Sequence, residues 1–291
     1  MDSRFYRPAS RSHIHNERGI EKHLSVVTQQ RRIYFRLLVN QLKYDLQMKF
    51  IGSLAGVYWA LLNPLLQVGT YVVLLTVVLR ARIGATEGGT FDYAIFVLAA
   101  MGPWLATQEA LTATSTAIVR NASIVRNVVF PLELLPMSAA LSSLVSLAVS
   151  LSVLFVLLAV SGKFIGLSIV AFPLVLLVQL LLILGIGYFL AVVSTFLRDV
   201  TYILPVVLML VMLCTPIVYG IEDMPPLLRF ATHFNPFYYL TDSYRQIFYY
   251  SHWPHWPGLV GLGVGSVVTL MAGLFVFRKT KGYFEAVLGA S

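Results

Sequence analysis

The residues best suited to chemistry in this sequence form a polar line within an otherwise apolar segment, 93–119. They recur every three or four residues and are Trp104, Gln108, Thr112 and Ser115. Glu109 lies beside them. A carboxylate at membrane depth normally faces the interior of a helix bundle or a wet cavity. Two interpretations of Glu109 stay open: a structural bond to a neighbouring helix, or a position on a pathway for a polar solute.

Sequence motifs for catalysis, nucleotide binding and metal binding are absent. Gly162-Lys163 lacks the upstream glycine and the following Ser or Thr of a P-loop, and neither HExxH nor GxSxG occurs. Cys214 is the only cysteine, which excludes a thiolate cluster. Ion-driven transporters usually hold several ionisable groups within the membrane, whereas Glu109 stands nearly alone. We therefore expect a passive conduit with no catalytic residue, metal or cofactor of its own.

The composition is that of a polytopic membrane protein, because 58% of the 291 residues are hydrophobic and only 12% are charged. Apolar segments long enough to cross a bilayer predict an all-α chain with six transmembrane helices. The predicted spans are 54–79, 93–119, 132–160, 167–196, 203–219 and 258–277.

The distribution of Lys and Arg predicts the orientation of these spans. If the N-terminus is inside, sixteen basic residues lie on the cytoplasmic side and five on the other side. Basic residues concentrate on the cytoplasmic side of membrane proteins, so both termini are predicted to be cytoplasmic. Ten of the sixteen precede residue 50. This uneven placement does not favour a nucleic-acid partner.

The flanking segments predict three further elements. Residues 31–50 place apolar and basic side chains on opposite faces, which predicts an amphipathic helix at the membrane interface. Its basic face would meet anionic lipid head groups or a phosphate-bearing ligand. Residues 1–30 are predicted to be a mobile cytoplasmic segment, and 282–291 a cytoplasmic tail.

A polar interruption at 120–136 separates two predicted spans and is longer than a simple turn requires. Its first part, 120–130, alternates apolar and polar residues and predicts a short amphipathic helix outside the bilayer. Two interpretations stay open for this helix: a solvated interfacial turn, or a docking site for another protein.

The segment 222–256 is too apolar for a free loop and too interrupted for a span. It is rich in Phe, Tyr and Trp, and we interpret it as short re-entrant helices that dip into the outer interface. Its aromatic residues fit either a belt at the membrane surface or a gate and lining on which sugar rings stack.

Small residues in two of the predicted spans favour close contact between helices. In 132–160 they recur every fourth residue and are Ser138, Ser142, Ser146 and Ser150. In the last span they are Gly261, Gly265 and Gly273.

Three stretches resemble the permease subunits of bacterial polysaccharide exporters, the ABC type-2 family. Residues 49–66, KFIGSLAGVYWALLNPLL, resemble the start of that family's first span. Residues 130–136 match its FPxExLP stretch and 235–245 its NPxxYxxDxxR segment. The resemblance extends over residues 31–281. It implies an exporter of O-antigen, capsule or teichoic acid chains in the bacterial cytoplasmic (inner) membrane.

The resemblance also implies the partners. The permease would form a homodimer joined to two copies of a separate nucleotide-binding ATPase subunit, which would bind ATP and Mg. The transported molecule would be a polyprenyl-diphosphate-linked glycan that passes between the two protomers. The helix at 120–130 would be the coupling helix. The residues expected to contact the ATPase are Arg120, Asn121, Ile124, Val125, Arg126 and Asn127.

A conduit for a sugar polymer needs aromatic faces for stacking and scattered hydrogen-bonding groups. The residues expected to line the channel are Trp59, Trp104, Gln108, Glu109, Thr112, Tyr219, Phe234 and Tyr238. Guanidinium groups pair well with phosphate, so the diphosphate is expected to enter beside Arg31, Arg32 and Arg36.

Three alternatives stay open. A type-2 exporter of a lipid or drug would share the coupling helix. A polyprenyl-lipid membrane transferase would need a paired acid and base or a set of metal-binding carboxylates. A proton-coupled transporter would depend on Glu109.

Overall fold

The computed structural model describes residues 11–49, 58–74 and 90–289, and within these ranges the chain forms twelve α-helices and no strand. The first six are α1 (Arg11–Met48), α2 (Tyr58–Val73), α3 (Thr90–Arg120), α4 (Ala122–Asn127), α5 (Leu134–Ser142) and α6 (Leu144–Val160). The others are α7 (Phe172–Phe196), α8 (Val200–Leu213), α9 (Pro226–Thr232), α10 (Pro236–Phe248), α11 (Trp256–Thr280) and α12 (Phe284–Gly289). Short 3-10 turns precede α7, α9 and α12.

Four helical segments in the described ranges are long and apolar enough to cross a membrane. They are Asp92–Arg120, Leu134–Val160, Leu167–Phe196 and Trp256–Gly289. They correspond to the predicted second, third, fourth and sixth spans, and they confirm that the described part of the chain is all-helical with several helices suited to crossing a membrane.

The other two predicted spans are represented by shorter helices. α8 has 14 residues and ends at Leu213, before the predicted end at residue 219. A straight helix needs about 20 residues to cross the hydrocarbon core. α2 has 16 residues, and the flanking parts of the predicted span 54–79 lie outside the described residues. The count of six spans therefore stays a prediction.

α3 is the central helix of the bundle and packs against α5, α6, α7 and α10. In its most apolar window 83% of the residues are buried, against 22–39% in the other three spanning segments. α3 is therefore covered by other parts of the described chain to a greater extent than the other three segments.

α7 and α11 pack closely because both carry a glycine at their crossing. A Cβ atom on Gly185 would lie 2.6 Å from the backbone nitrogen of Leu270, and one on Gly273 would overlap the carbonyl of Gly185. Gly261 and Gly265 have no atom of the described chain within 4 Å of such a position. Of the three glycines predicted to pack in the last span, only Gly273 makes a tight contact within the described chain.

The elements at the two ends of the bundle differ in extent from the predicted ones. α1 begins at Arg11, twenty residues before the predicted start at residue 31, and packs against α5.

α9 and α10 lie in the aromatic segment 222–256. The buried Arg245 of α10 donates to the carbonyls of Pro216 (2.9 Å) and Ile217 (2.7 Å) and so ties α10 to the segment after α8. The placement of α9 and α10 at the outer mouth stays a prediction.

Candidate functional site

A polar cavity of about 470 Å³ lies between α1, α2, α3 and α6. Its polar and charged lining residues are Lys49, Asn63, Gln67, Gln108, Glu109, Thr112, Thr116, Arg120 and Ser146. Its apolar lining residues are Leu46, Trp59, Leu105, Ala113 and Val145. Four of the eight residues predicted to line a channel meet in this cavity: Trp59, Gln108, Glu109 and Thr112.

The α3 wall of this polar cavity presents groups that can hydrogen-bond a ligand. The hydroxyl of Thr112 donates to the Gln108 carbonyl at 2.8 Å, and that of Thr116 bonds the carbonyls of Thr112 and Ala113. The helix itself thus satisfies the donors of both threonines. Their hydroxyl oxygens remain able to accept a hydrogen bond from a ligand.

The α2 wall combines a flat ring with two amides. Trp59 is 41% exposed, and Asn63 and Gln67 follow it at steps of four residues on the same helix face. The Gln67 amide donates to the Asn63 oxygen at 3.3 Å. Sequence reasoning missed Asn63 and Gln67 as lining residues, although their spacing from Trp59 was a usable signal.

Glu109 forms an ion pair with Lys49 at the end of α1. The two side chains are 32% and 25% exposed, so the pair lies at the wall of the polar cavity rather than in a dry core. This partner supports the structural interpretation of Glu109. No sequence signal connects two residues that lie 60 positions apart.

A second polar network joins α1 to the α3–α4 corner. The Asp45 carboxylate, only 4% exposed, accepts hydrogen bonds from Gln41 (3.2 Å), Ser138 (2.5 Å) and Arg120 (3.3 Å). Gln41 also contacts the buried Asn121 at 3.4 Å. A buried carboxylate is tolerated when it is paired and hydrogen-bonded. The network therefore holds α1 against α3 and α5.

The predicted coupling segment divides into an inward and an outward part. Asn121 is buried, and Ile124 and Val125 are partly buried. Arg126 and Asn127 are exposed at the end of α4. They are followed by Val128 and Val129, which are exposed at 55% and 107% of their reference areas. The two adjacent valines and the Arg126 cation are thus exposed side by side at the end of α4. We call these four exposed residues, 126–129, the α4 surface.

The remaining predicted channel residues lie away from the polar cavity. Trp104 is fully buried and packs edge-on against Phe237 at 5.4 Å, which gives it a packing contact inside this chain. Phe234 is 77% exposed, whereas Tyr219 and Tyr238 are partly buried. The channel-lining role of these four residues stays a prediction.

The predicted diphosphate entrance is also separate from the polar cavity. Arg31, Arg32 and Arg36 are all exposed on α1, and none of them lines the polar cavity. The cations that line it are Lys49 and Arg120, and each of them is paired with a carboxylate.

Comparison with known proteins identifies relatives along most of the chain. A profile of the ABC-2 type transporter family matches residues 32–249. The O-antigen export system permease protein RfbA of Myxococcus xanthus is 30% identical over 255 residues, which cover 86% of this chain and 95% of that protein. A protein of the same name from Klebsiella pneumoniae is 26% identical over 255 residues, which cover 87% and 95% of the two chains.

Proposed function

Because the chain belongs to the ABC-2 type transporter family, we propose that it is the permease subunit of an ATP-driven exporter. Its cargo is an O-antigen-type polysaccharide on polyprenyl diphosphate, carried across the cytoplasmic membrane of a bacterium. The names of the relatives support this class of cargo. The observation that carries the proposal is the polar cavity beside α3, since it exposes uncharged hydrogen-bonding groups and one Trp ring.

The polar cavity suits sugars better than ions. Asn63, Gln67 and Gln108 can donate to and accept from hydroxyl groups, and the Trp59 ring can stack on the apolar face of a sugar. The charges of Lys49 and Glu109 compensate each other. Weak, repeated contacts of this kind allow a polymer to advance, whereas a strongly charged lining would hold it.

The proposed topology has six spans, with α2 and α8 in the first and fifth and both termini in the cytoplasm. Two copies of the chain form a homodimer, and their polar cavities line a shared channel. The diphosphate enters from the cytoplasmic leaflet beside the exposed Arg31, Arg32 and Arg36.

Energy comes from a separate ATPase subunit, present in two copies, which binds ATP and Mg. It docks on the α4 surface, where Val128 and Val129 supply apolar area and Arg126 supplies charge. The Asp45 network reaches the start of α4 through Asn121, and α12 packs against α4, so both are in a position to transmit a movement of α4 to the bundle.

Co-purification tests the exporter architecture. The tagged chain is purified in mild detergent from its own cells, and the bound proteins are identified by mass spectrometry. A P-loop ATPase in equal amount is expected with the unaltered chain and is expected to be lost in Val129→Asp. Tyr283→Asp, at a residue 65% exposed outside the α4 surface, is the matched control. Absence of any ATPase under conditions that preserve the dimer would overturn the proposal.

Surface polysaccharide tests the cargo. In cells that lack the native gene, Trp59→Ala is expected to lower the export rate roughly two- to tenfold, the size expected for one aromatic contact. Trp256→Ala is the control, since Trp256 is 45% exposed and does not line the polar cavity. Unchanged polysaccharide in cells without the chain would point instead to a lipid or drug as the cargo.

A further inference from the structure

A second cavity, of about 300 Å³, lies where α1, α5, α7 and α11 meet. We call it the basic cavity. Its floor includes Tyr188 and Leu274, and its rim includes Tyr34, Glu133, Arg278 and Lys281. It shares no lining residue with the polar cavity beside α3.

The rim of the basic cavity carries a net positive charge. Lys281 donates to the Glu133 carboxylate at 2.8 Å, and the Arg278 Nε atom lies 3.7 Å from the same oxygen. Two cations therefore share one carboxylate. An ammonium has three N–H donors and a guanidinium has five, so one carboxylate leaves most of these donors available. Arg278 and Lys281 are 63% and 42% exposed, which keeps them accessible from the mouth.

Glu133 remains ionised at neutral pH and offsets part of the charge of the two cations. Burial alone would raise the pKa of Glu133, but hydrogen bonds from Lys281 and the backbone, with the charges of Lys281 and Arg278, lower it below its usual value. Glu133 precedes the span that begins at Leu134. Tyr188, on the floor of the basic cavity, is also held in place, because its hydroxyl donates to the Glu133 carbonyl at 2.9 Å.

The position of the basic cavity matches the head-group layer of a membrane. Arg278 lies in the last turn of α11 and Lys281 directly follows that helix, at the basic end of a helix long and apolar enough to cross a membrane. The floor residue Leu274 lies one turn deeper and offers apolar surface to the start of an acyl chain. Tyr34 adds a phenol of the kind enriched at the interface. Basic pockets between spanning helices on the cytoplasmic side are suited to anionic lipid head groups.

We propose that the basic cavity binds the phosphate head group of an anionic membrane phospholipid, held by Arg278 and Lys281. The bound lipid braces α11 against α5 and the residues that follow α4. This inference does not rest on the proposed cargo, because lipid retention can be measured in a protein that exports nothing.

Native mass spectrometry tests the site. The full chain, with whatever subunits co-purify, is exchanged into detergent with phosphatidylglycerol or with zwitterionic phosphatidylcholine, and the retained lipid is counted. We expect phosphatidylglycerol to be retained preferentially. The preference should fall on the order of tenfold in Arg278→Gln/Lys281→Gln, because both phosphate contacts are lost. The control Lys279→Gln/Arg198→Gln removes the same charge from exposed residues that do not line the basic cavity and should retain the preference.

A third variant gives an effect of opposite sign. Glu133→Gln frees both cations from their carboxylate, so phosphatidylglycerol retention should rise. A misfolded protein would not show this gain.

Four outcomes would overturn the proposal. Equal phosphatidylglycerol retention in the double variant and the unaltered chain would show that the basic cavity does not bind the lipid. An equal loss of retention in the control variant would show that the lipid is held only by unspecific charge attraction. Displacement of the lipid by millimolar inorganic phosphate would assign the basic cavity to free phosphate. Much tighter retention of polyprenyl phosphate than of phosphatidylglycerol would assign it to the carrier lipid.

Discussion

At the scale of single residues, the most informative contact is the ion pair between Glu109 and Lys49. A lone carboxylate in a spanning helix could relay protons, whereas a paired carboxylate compensates a cation. Both side chains are about a quarter to a third exposed to the polar cavity, so solvent screens their attraction. The pair therefore contributes little to the free energy of unfolding. Its main effect is to neutralise charge at the wall of the polar cavity.

Charge compensation predicts the behaviour of Glu109 variants. Glu109→Gln should reduce export because it leaves Lys49 as an unpaired cation on the path of a neutral polymer. Lys49→Gln/Glu109→Gln should recover most of the loss, with a change in stability of about 1 kcal/mol or less. The measurement is surface polysaccharide as a function of external pH. A double variant as impaired as the single one, together with pH-dependent export, would favour the proton-coupled alternative.

The pKa of Glu133 predicts a pH dependence of stability. Because this pKa is lowered in the folded protein, the ion pair with Lys281 contributes above the ordinary carboxyl pKa and is lost as pH falls through the lowered value. The unaltered chain should thus unfold at a higher temperature than Glu133→Gln at pH 7, by the equivalent of roughly 1 kcal/mol or less. Thermal unfolding in detergent should show this difference vanish in acid. A difference in unfolding temperature that persists at a pH below the lowered pKa would contradict the stabilising role of the ionised Glu133.

At the scale of elements, the C-terminal helix α12 packs against α4. Phe284 is fully buried and stacks edge-on against Phe277 at 5.3 Å, and Leu288 is 4% exposed. Val125 of α4 packs against the same cluster. The predicted cytoplasmic tail is therefore, over 284–289, a structural backing for the predicted coupling helix.

This backing predicts a coupled loss of stability and ATPase docking. Phe284→Ala should destabilise the chain by about 3 kcal/mol, since a large buried side chain is removed. It should also weaken capture of the ATPase because α4 loses its support. Thermal unfolding and co-purification measure the two effects, with Tyr283→Ala, at the exposed neighbour, as the control. If a destabilised Phe284→Ala variant still captured the full amount of ATPase, α12 would not be needed for ATPase docking.

At the scale of the whole molecule, the two cavities share no lining residue, and each has its own proposed ligand. The polar cavity opens between α2 and α3, on the side proposed to face the second copy. The basic cavity lies among α1, α5, α7 and the C-terminal end of α11. α3 lines the polar cavity but not the basic cavity, and it is the most buried of the four spanning segments. α4 contacts α3, which lines the polar cavity, and α12, which follows the rim residue Lys281 of the basic cavity.

The orientation of the whole chain predicts a labelling pattern. With Cys214 replaced by Ser, Phe164→Cys between α6 and α7 should react with a membrane-impermeant maleimide in spheroplasts. Tyr283→Cys should react only after permeabilisation. Both positions are highly exposed, at 92% and 65%. Labelling of Tyr283→Cys in sealed spheroplasts would reverse the proposed topology.

Several features of this protein follow from the sequence by itself. Long apolar segments cannot remain in water and must form helices that satisfy their own backbone, so four of the predicted spans reappear as membrane-length helices. The spacing of Gln108 and Thr112 predicted one polar face, because helix geometry is local. The three family-like stretches agree with the match over residues 32–249.

Only the tertiary structure decided which distant residues meet. Lys49 reaches Glu109 and Asp45 reaches Ser138 across 60 and 93 positions, and Phe284 returns to cover α4. Gly273 packs tightly whereas Gly261 and Gly265 do not meet the described chain, although the three look alike in sequence. Helical periodicity specifies which side chains share a face, but the partner of that face depends on how whole helices pack. The pairing of Glu109 and the location of both cavities therefore come from the packed bundle.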